Sequence, residues 1–180
     1  MVDFFKSSVR RLADGQSFLL SSVPDGFDAL VVADLTRYLA KTNAKGAATL
    51  FFIARDGQRQ AQLEAALAFL APEIEVLSFP NWDCQPYDRV SPHIGLIARR
   101  MTVLARLARS VSGEDRPRLV IATANGVMQR VPARAKIAAD SFSAAPGNRV
   151  DTTALSRWLE SNGFLKATTV RETGEFAVRG

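Results

Sequence analysis

A chain of 180 residues that is 47% hydrophobic can fill one large domain, or a medium one and a small one. No apolar run reaches the ~18 residues of a membrane span, and Met1–Arg11 alternates charged and apolar groups, unlike a secretory signal. Single cysteine and histidine residues, Cys84 and His93, exclude an intramolecular disulfide and speak against structural zinc, so a reducing cytoplasm is the expected compartment.

The formal charge is +5. Its excess gathers in Arg99, Arg100, Arg106, Arg109, Arg116, Arg118, Arg130 and Arg134, opposed in that stretch only by Glu114 and Asp115. Such a stretch can attract nucleic acid or an acidic protein. No aromatic residue interleaves with these arginines as a single-strand binder requires, which favours plain solvation of helix faces.

Phe4, Phe5, Val9 and Leu12 predict a short amphipathic helix ending near Gly15. Ser17–Val23 reads as a strand, Pro24-Asp25-Gly26 as a turn, and Phe27, Leu30, Val31, Leu35 and Leu39 as a helix that stops between Asn43 and Gly46. Ala48–Ala54 is a continuous apolar run of strand length, the kind buried on both faces of a parallel sheet. Asp56 is placed to cap the next helix, with Leu63, Ala66, Leu67 and Leu70 inward and Pro72 at its end. Ile74–Phe79 predicts a strand, and residues 80–92 a polar loop rich in proline. Ile94–Leu107 returns to helical period. Leu119–Ala122 predicts a fourth strand and Ala124–Val131 a short helix. The alternation predicts an open parallel α/β sheet with helices on both faces. Pro132 breaks it, and a domain boundary is placed there, giving residues 1–131 and 132–180. The second piece should hold a β-like segment at Lys136–Ser143, a turn at Pro146-Gly147-Asn148, a helix at Thr152–Ser161 and an extended tail from Ala167. With fewer than fifty residues it reads as a truncated small domain.

A nucleotide-binding α/β domain would carry its phosphate loop after the first strand. That loop needs G-x-x-x-x-G-K-[ST], with backbone amides and a lysine turned toward phosphate oxygens. Ser21-Ser22-Val23-Pro24-Asp25-Gly26-Phe27-Asp28 stands there instead. It has no lysine, two acids, and a proline that removes a donor. From the residues alone this is either a degenerate phosphate loop or an ordinary turn. His93 reads as a capping or hydrogen-bonding residue, and nothing nearby activates Cys84. No catalytic or metal-binding constellation emerges, so no enzyme activity and no cofactor are expected of this chain.

Phe79-Pro80-Asn81-Trp82-Asp83-Cys84-Gln85-Pro86-Tyr87-Asp88, running on through Ser91-Pro92-His93, resembles a segment of the transcription-repair coupling factors. Arg99-Arg100-Met101-x-x-Leu104 and Val120–Val131, with its Met128-Gln129-Arg130-Val131, look like the helix and strand that follow. Gly163-Phe164 and Gly174-Glu175-Phe176-Ala177-Val178-Arg179-Gly180 are similar to that family's C-terminal signature. The matches keep their order over residues 79–180, while the first half matches in pattern only. The nucleotide-excision-repair protein UvrB is similar more loosely, but it keeps an intact phosphate loop.

The resemblance implies a degenerate, helicase-like P-loop NTPase domain, α/β in class, followed by the start of a small α+β domain. It implies a non-hydrolysing UvrB-like module that docks UvrA in transcription-coupled nucleotide excision repair. The ATP- and magnesium-dependent DNA translocase activity, and the contacts with RNA polymerase and duplex DNA, would lie outside this chain. Arg179 matches the signature's arginine, Phe176 its aromatic, and Lys166 lies beside Leu165, where another family arginine falls. Lys166 can supply the charge but not a bidentate fork. A structural role for Arg179, paired with Glu172 or Glu175, is the competing reading. For the chain as a whole, the alternative is a DNA-binding helicase-like fragment working through Ile94–Arg109.

Overall fold

The computed structural model describes residues 17, 19–42, 49–85, 87–109, 116–172 and 174–179. The expected helix over residues 4–12 lies outside them. The chain divides into two compact units, Met1–Ser141 and Phe142–Gly180.

In the first unit, α1 (Phe27–Thr42) leads to β1 (Thr49–Ala54), α2 (Gly57–Leu70), β2 (Glu75–Phe79), α3 (Ile94–Ala108), β3 (Arg118–Thr123), α4 (Ala124–Met128) and α5 (Arg134–Asp140). The three strands are parallel in the order β1-β3-β2. Each segment between strands carries a helix, as parallel pairing requires. β3 is central and buried at all six positions, which explains its unbroken Leu119-Val120-Ile121-Ala122 run.

Strand side chains alternate between the two faces, and each face has its own core. Ala29, Val32 and Ala33 of α1 and Leu63 and Leu67 of α2 pack with Leu119 and Ile121 on one face. Val103, Leu104 and Leu107 of α3 pack with Phe79, Val120 and Ala122 on the other. Burying a leucine such as Leu67 or Leu119 stabilises the fold by about 2 kcal/mol. On the α3 side Phe51 and Ile53 of β1 remain exposed.

The Asp56 cap forms as expected. Its side chain accepts from the Arg59 amide at 2.8 Å, and that bond, more than the neighbouring Arg55, holds its carboxyl below the usual range. Two expectations fail. None of the described residues of Ser17–Val23 is in a strand. Ser22 takes a left-handed φ of 59° and Pro24 follows it, a pairing that interrupts extended backbone, and Leu19 is exposed. Lys136–Ser143 is not β-like either, because residues 134–140 form α5. Its alanines favour helix, and Lys136 pairs with Asp140 one turn on at 2.9 Å. The Arg134 side chain donates to the Ala108 carbonyl at the end of α3, so α5 packs with the first unit and the division falls after Ser141.

The second unit contains α6 (Thr152–Ser161), β4 (Leu165–Lys166) and β5 (Glu175–Phe176), the two short strands pairing in parallel. Asp151 caps α6 by accepting from the Thr153 and Ala154 amides. Gly163, at φ +83°, ends the helix in the left-handed turn that glycine adopts without strain, and the Phe164 amide returns to the Leu159 carbonyl at 3.0 Å. Trp158 lies 5.7 Å from the Phe142 ring and 6.5 Å from the Phe164 ring.

Candidate functional site

Ser21–Asp28 leads into the N-terminus of α1, whose first amides can face an anion. Here the protein supplies its own carboxylate. Asp28 accepts from the Ala29 amide at 3.0 Å, and its other oxygen lies 2.9 Å from Arg59 Nη2. Asp25 stands 3.8 Å from the same nitrogen. Arg59 is carried in by the first turn of α2, so the cap at Asp56 sets its direction. The sequence offered no sign of this partnership, because Arg59 is thirty-one positions from Asp28.

The loop after β2 is fastened by a buried cation. Arg100 is 1% exposed. Its guanidinium lies between two rings, 4.1 Å from the Phe79 centroid and 4.3 Å from that of Trp82. Its Nη1 donates to the Pro80 carbonyl at 2.6 Å and to Gln129 Oε1 at 3.0 Å, and the same Gln129 oxygen accepts from the Trp82 amide at 3.1 Å. Burial pulls the Arg100 pKa down from the ordinary arginine value, and ring faces take the place of a carboxylate. Further along, Asp83 accepts from the His93 amide, and His93 caps α3 by accepting from the Gly95 amide at 3.1 Å. The capping role expected of His93 is therefore observed.

The arginine stretch divides between buried and exposed members. Besides Arg100, Arg106 and Arg118 both bind Glu75, at 2.5 and 2.8 Å. Arg116 reaches the Pro72 and Glu73 carbonyls, and Arg134 that of Ala108. Arg99, Arg109 and Arg130 are exposed, as are Arg116 and Arg134 despite their bonds to carbonyls. What reads in sequence as one basic stretch is therefore split, with Arg100 and Arg118 buried and Arg106 half-buried.

Of the residues matched to the C-terminal signature, Glu175 and Phe176 form β5, while Arg179 lies three residues past it, and Lys166 lies in β4. Lys166 and Phe176 are register partners. Lys166 and Arg179 are exposed, whereas Phe176, 9% exposed, is the buried residue of the second unit among those described. Glu175 does not pair with Arg179. Its carboxylate accepts from the Arg171 and Glu172 amides at 2.8 and 3.2 Å and closes the turn before β5. Gly174, at φ +100°, supplies the left-handed residue of that turn. The motif's glycine and glutamate therefore serve the backbone, its phenylalanine the core, and its arginine reaches solvent.

Together these features define a small parallel α/β unit in which Asp28 and Arg59 pair at the start of α1, and a second unit built around a short two-stranded ribbon. No family model matches the chain. The chain is similar to transcription-repair-coupling factors. It is 27% identical to that of Escherichia coli (strain K12) over 166 residues, 92% of this chain and 13% of the relative. It is 29% identical to that of Rickettsia bellii over 119 residues, 66% of this chain and 10% of the relative, and 30% identical to that of Myxococcus xanthus over 150 residues, 79% and 12%. The resemblance read from the sequence is thus borne out, and it reaches beyond residues 79–180 to cover most of the chain. The chain spans about a tenth of the length of these relatives. Among the described residues, no helix is long and apolar enough to cross a membrane.

Proposed function

We propose that this chain is the N-terminal, UvrB-like region of a cytoplasmic transcription-repair coupling factor. In this reading it docks UvrA through the exposed Lys166 of β4 and the exposed Arg179 past the end of β5, with Phe176 holding the ribbon in place. The ATP-dependent translocase activity, its magnesium, and the contacts with RNA polymerase and duplex DNA belong to the rest of the longer protein. The observation that supports this most is the Gly174–Arg179 segment, whose arginine faces solvent while its other signature residues maintain the turn and core. A solvent-facing guanidinium just past a formed ribbon suits a carboxylate or carbonyl cluster on a partner.

The chain is also read as a degenerate P-loop domain that binds no nucleotide. Asp28 and Arg59 neutralise each other where a triphosphate would sit, and Asp25 adds repulsion. Isothermal titration with Mg-ATP should give no measurable heat of binding. A dissociation constant at or below roughly 100 µM, worth about −5.5 kcal/mol, overturns this part of the reading. Docking is tested with purified UvrA and the full-length protein, comparing the parent with Arg179→Ala.

A further inference from the structure

We infer that His93 is a proton-sensitive switch at the start of α3, capping the helix when neutral and turning to Asp83 when protonated. The inference concerns the first unit and stands apart from the docking reading.

His93 is the single histidine of the chain, and it is exposed, so protons reach it from solvent. Its Nδ1 accepts from the Gly95 amide at 3.1 Å, which satisfies one of the donors that a helix leaves without a partner in its first turn. A ring nitrogen accepts only while it carries no proton. An imidazole ordinarily takes up its second proton at about pH 6.5. Once it does, Nδ1 is a donor facing a donor, and the cation faces the positive end of the α3 dipole. Gly95 shows that the seat of the ring is built into the helix. A Cβ at this position would stand 3.2 Å from Nδ1 and 3.3 Å from Cε1, closer than an ordinary van der Waals contact. Glycine is a poor helix residue, and here it leaves room for the imidazole over the first turn.

The second position is next to the first. Both oxygens of Asp83 lie beside the His93 backbone nitrogen, at 3.2 and 3.3 Å, so a ring that leaves the helix end finds a carboxylate against its own backbone. A charge-assisted hydrogen bond to that carboxylate replaces the lost cap. The other charged groups on the elements that meet here are Asp88 and Arg89 on the loop, Arg99 and Arg100 on α3, and Arg130 after α4. Asp88 is bonded to the Gln85 amide and Arg100 to Pro80 and Gln129, and Asp83 is the acid that reaches His93 among the described residues. The charge that attracts the protonated ring therefore comes from one side and the dipole that repels it from the other.

Hydrogen exchange of the full-length protein, read on the first turn of α3 and corrected for the intrinsic effect of pH, tests the inference. Between pH 7.5 and pH 5.5 the protection of these amides should fall about fivefold in the parent, as the loss of one cap implies, while the amides of β3 keep theirs. His93→Asn retains a capping oxygen that does not titrate, and its protection should be the same at both pH values. Asp83→Asn still accepts from the His93 amide but removes the charge that draws the protonated ring away, so its fall should shrink to about twofold. Protection in the parent that does not change with pH overturns the inference. So does an equal fall in His93→Asn, or a parallel fall in β3, since either places the source elsewhere in the fold. A fall in Asp83→Asn as large as the parent's also overturns it, because the second position is then not at Asp83.

Discussion

Arg100 is the residue on which the loop after β2 depends. Truncation to alanine removes two ring contacts and two hydrogen bonds and leaves a cavity, at a cost of about 3 kcal/mol. Urea denaturation followed by tryptophan fluorescence should show that loss, and a change below about 0.5 kcal/mol would place the side chain at an ordinary surface site. Arg179 should behave in the opposite way. With Glu175 committed to backbone amides, Arg179→Ala should leave the melting temperature within a degree or two while weakening UvrA binding by roughly 2 kcal/mol, about thirtyfold. Loss of stability with affinity intact would return Arg179 to a structural role. The burial of Arg100 is not legible in the sequence, because any pattern rule assigns an arginine to the surface and its rings lie some twenty positions upstream. The exposure of Arg179 was equally open until the carboxylate of Glu175 was seen to point elsewhere.

At the level of elements, the starts of β2 and β3 are joined through Glu75, which stands opposite Arg118 in the register and binds both Arg118 and Arg106. Burial pushes the Glu75 carboxyl upward, but the hydrogen bonds and charges of the two arginines outweigh it, and its pKa is lowered overall. A carboxylate with a depressed folded pKa contributes stability that is present above its unfolded pKa and disappears as pH falls through the folded one. Glu75→Gln should therefore cost about 2 kcal/mol at pH 7, less than a fully buried broken pair. The gap from the parent should close once the pH lies below the folded pKa, and a gap independent of pH would show that charge is not the source. Elements with local signals were legible: Asp56 caps α2, Asp151 caps α6, and the apolar run marks β3. Ser17–Val23 was misread because strand pairing is decided by distant neighbours and apolar composition alone does not bring them. Lys136–Ser143 was misread because two turns of helix are too few to establish a period.

For the whole molecule, part of the basic excess is out of a polyanion's reach, since Arg100 and Arg118 of the arginine stretch are buried. With Arg99, Arg109, Arg116, Arg130 and Arg134 as its exposed members, duplex DNA should bind with a dissociation constant of about 100 µM or weaker near physiological salt. The log–log salt slope should be no steeper than about −4.5, the value for five phosphate contacts. A slope of about −7 would show the whole stretch acting as a phosphate-binding surface after all. The parallel α/β class was readable from the alternation of elements, but the use of side chains within it was not, because ion pairs such as Arg59–Asp28 join residues that only the finished sheet brings together. That pair has a consequence for signalling. An ATPase domain changes shape as its ligand turns over, and its partners read the difference. Under the proposed reading, a domain that carries its own counter-charge at that corner has no nucleotide to wait for, so it would dock regardless of the cell's nucleotide levels, and any control over when it binds would come from elsewhere in the protein.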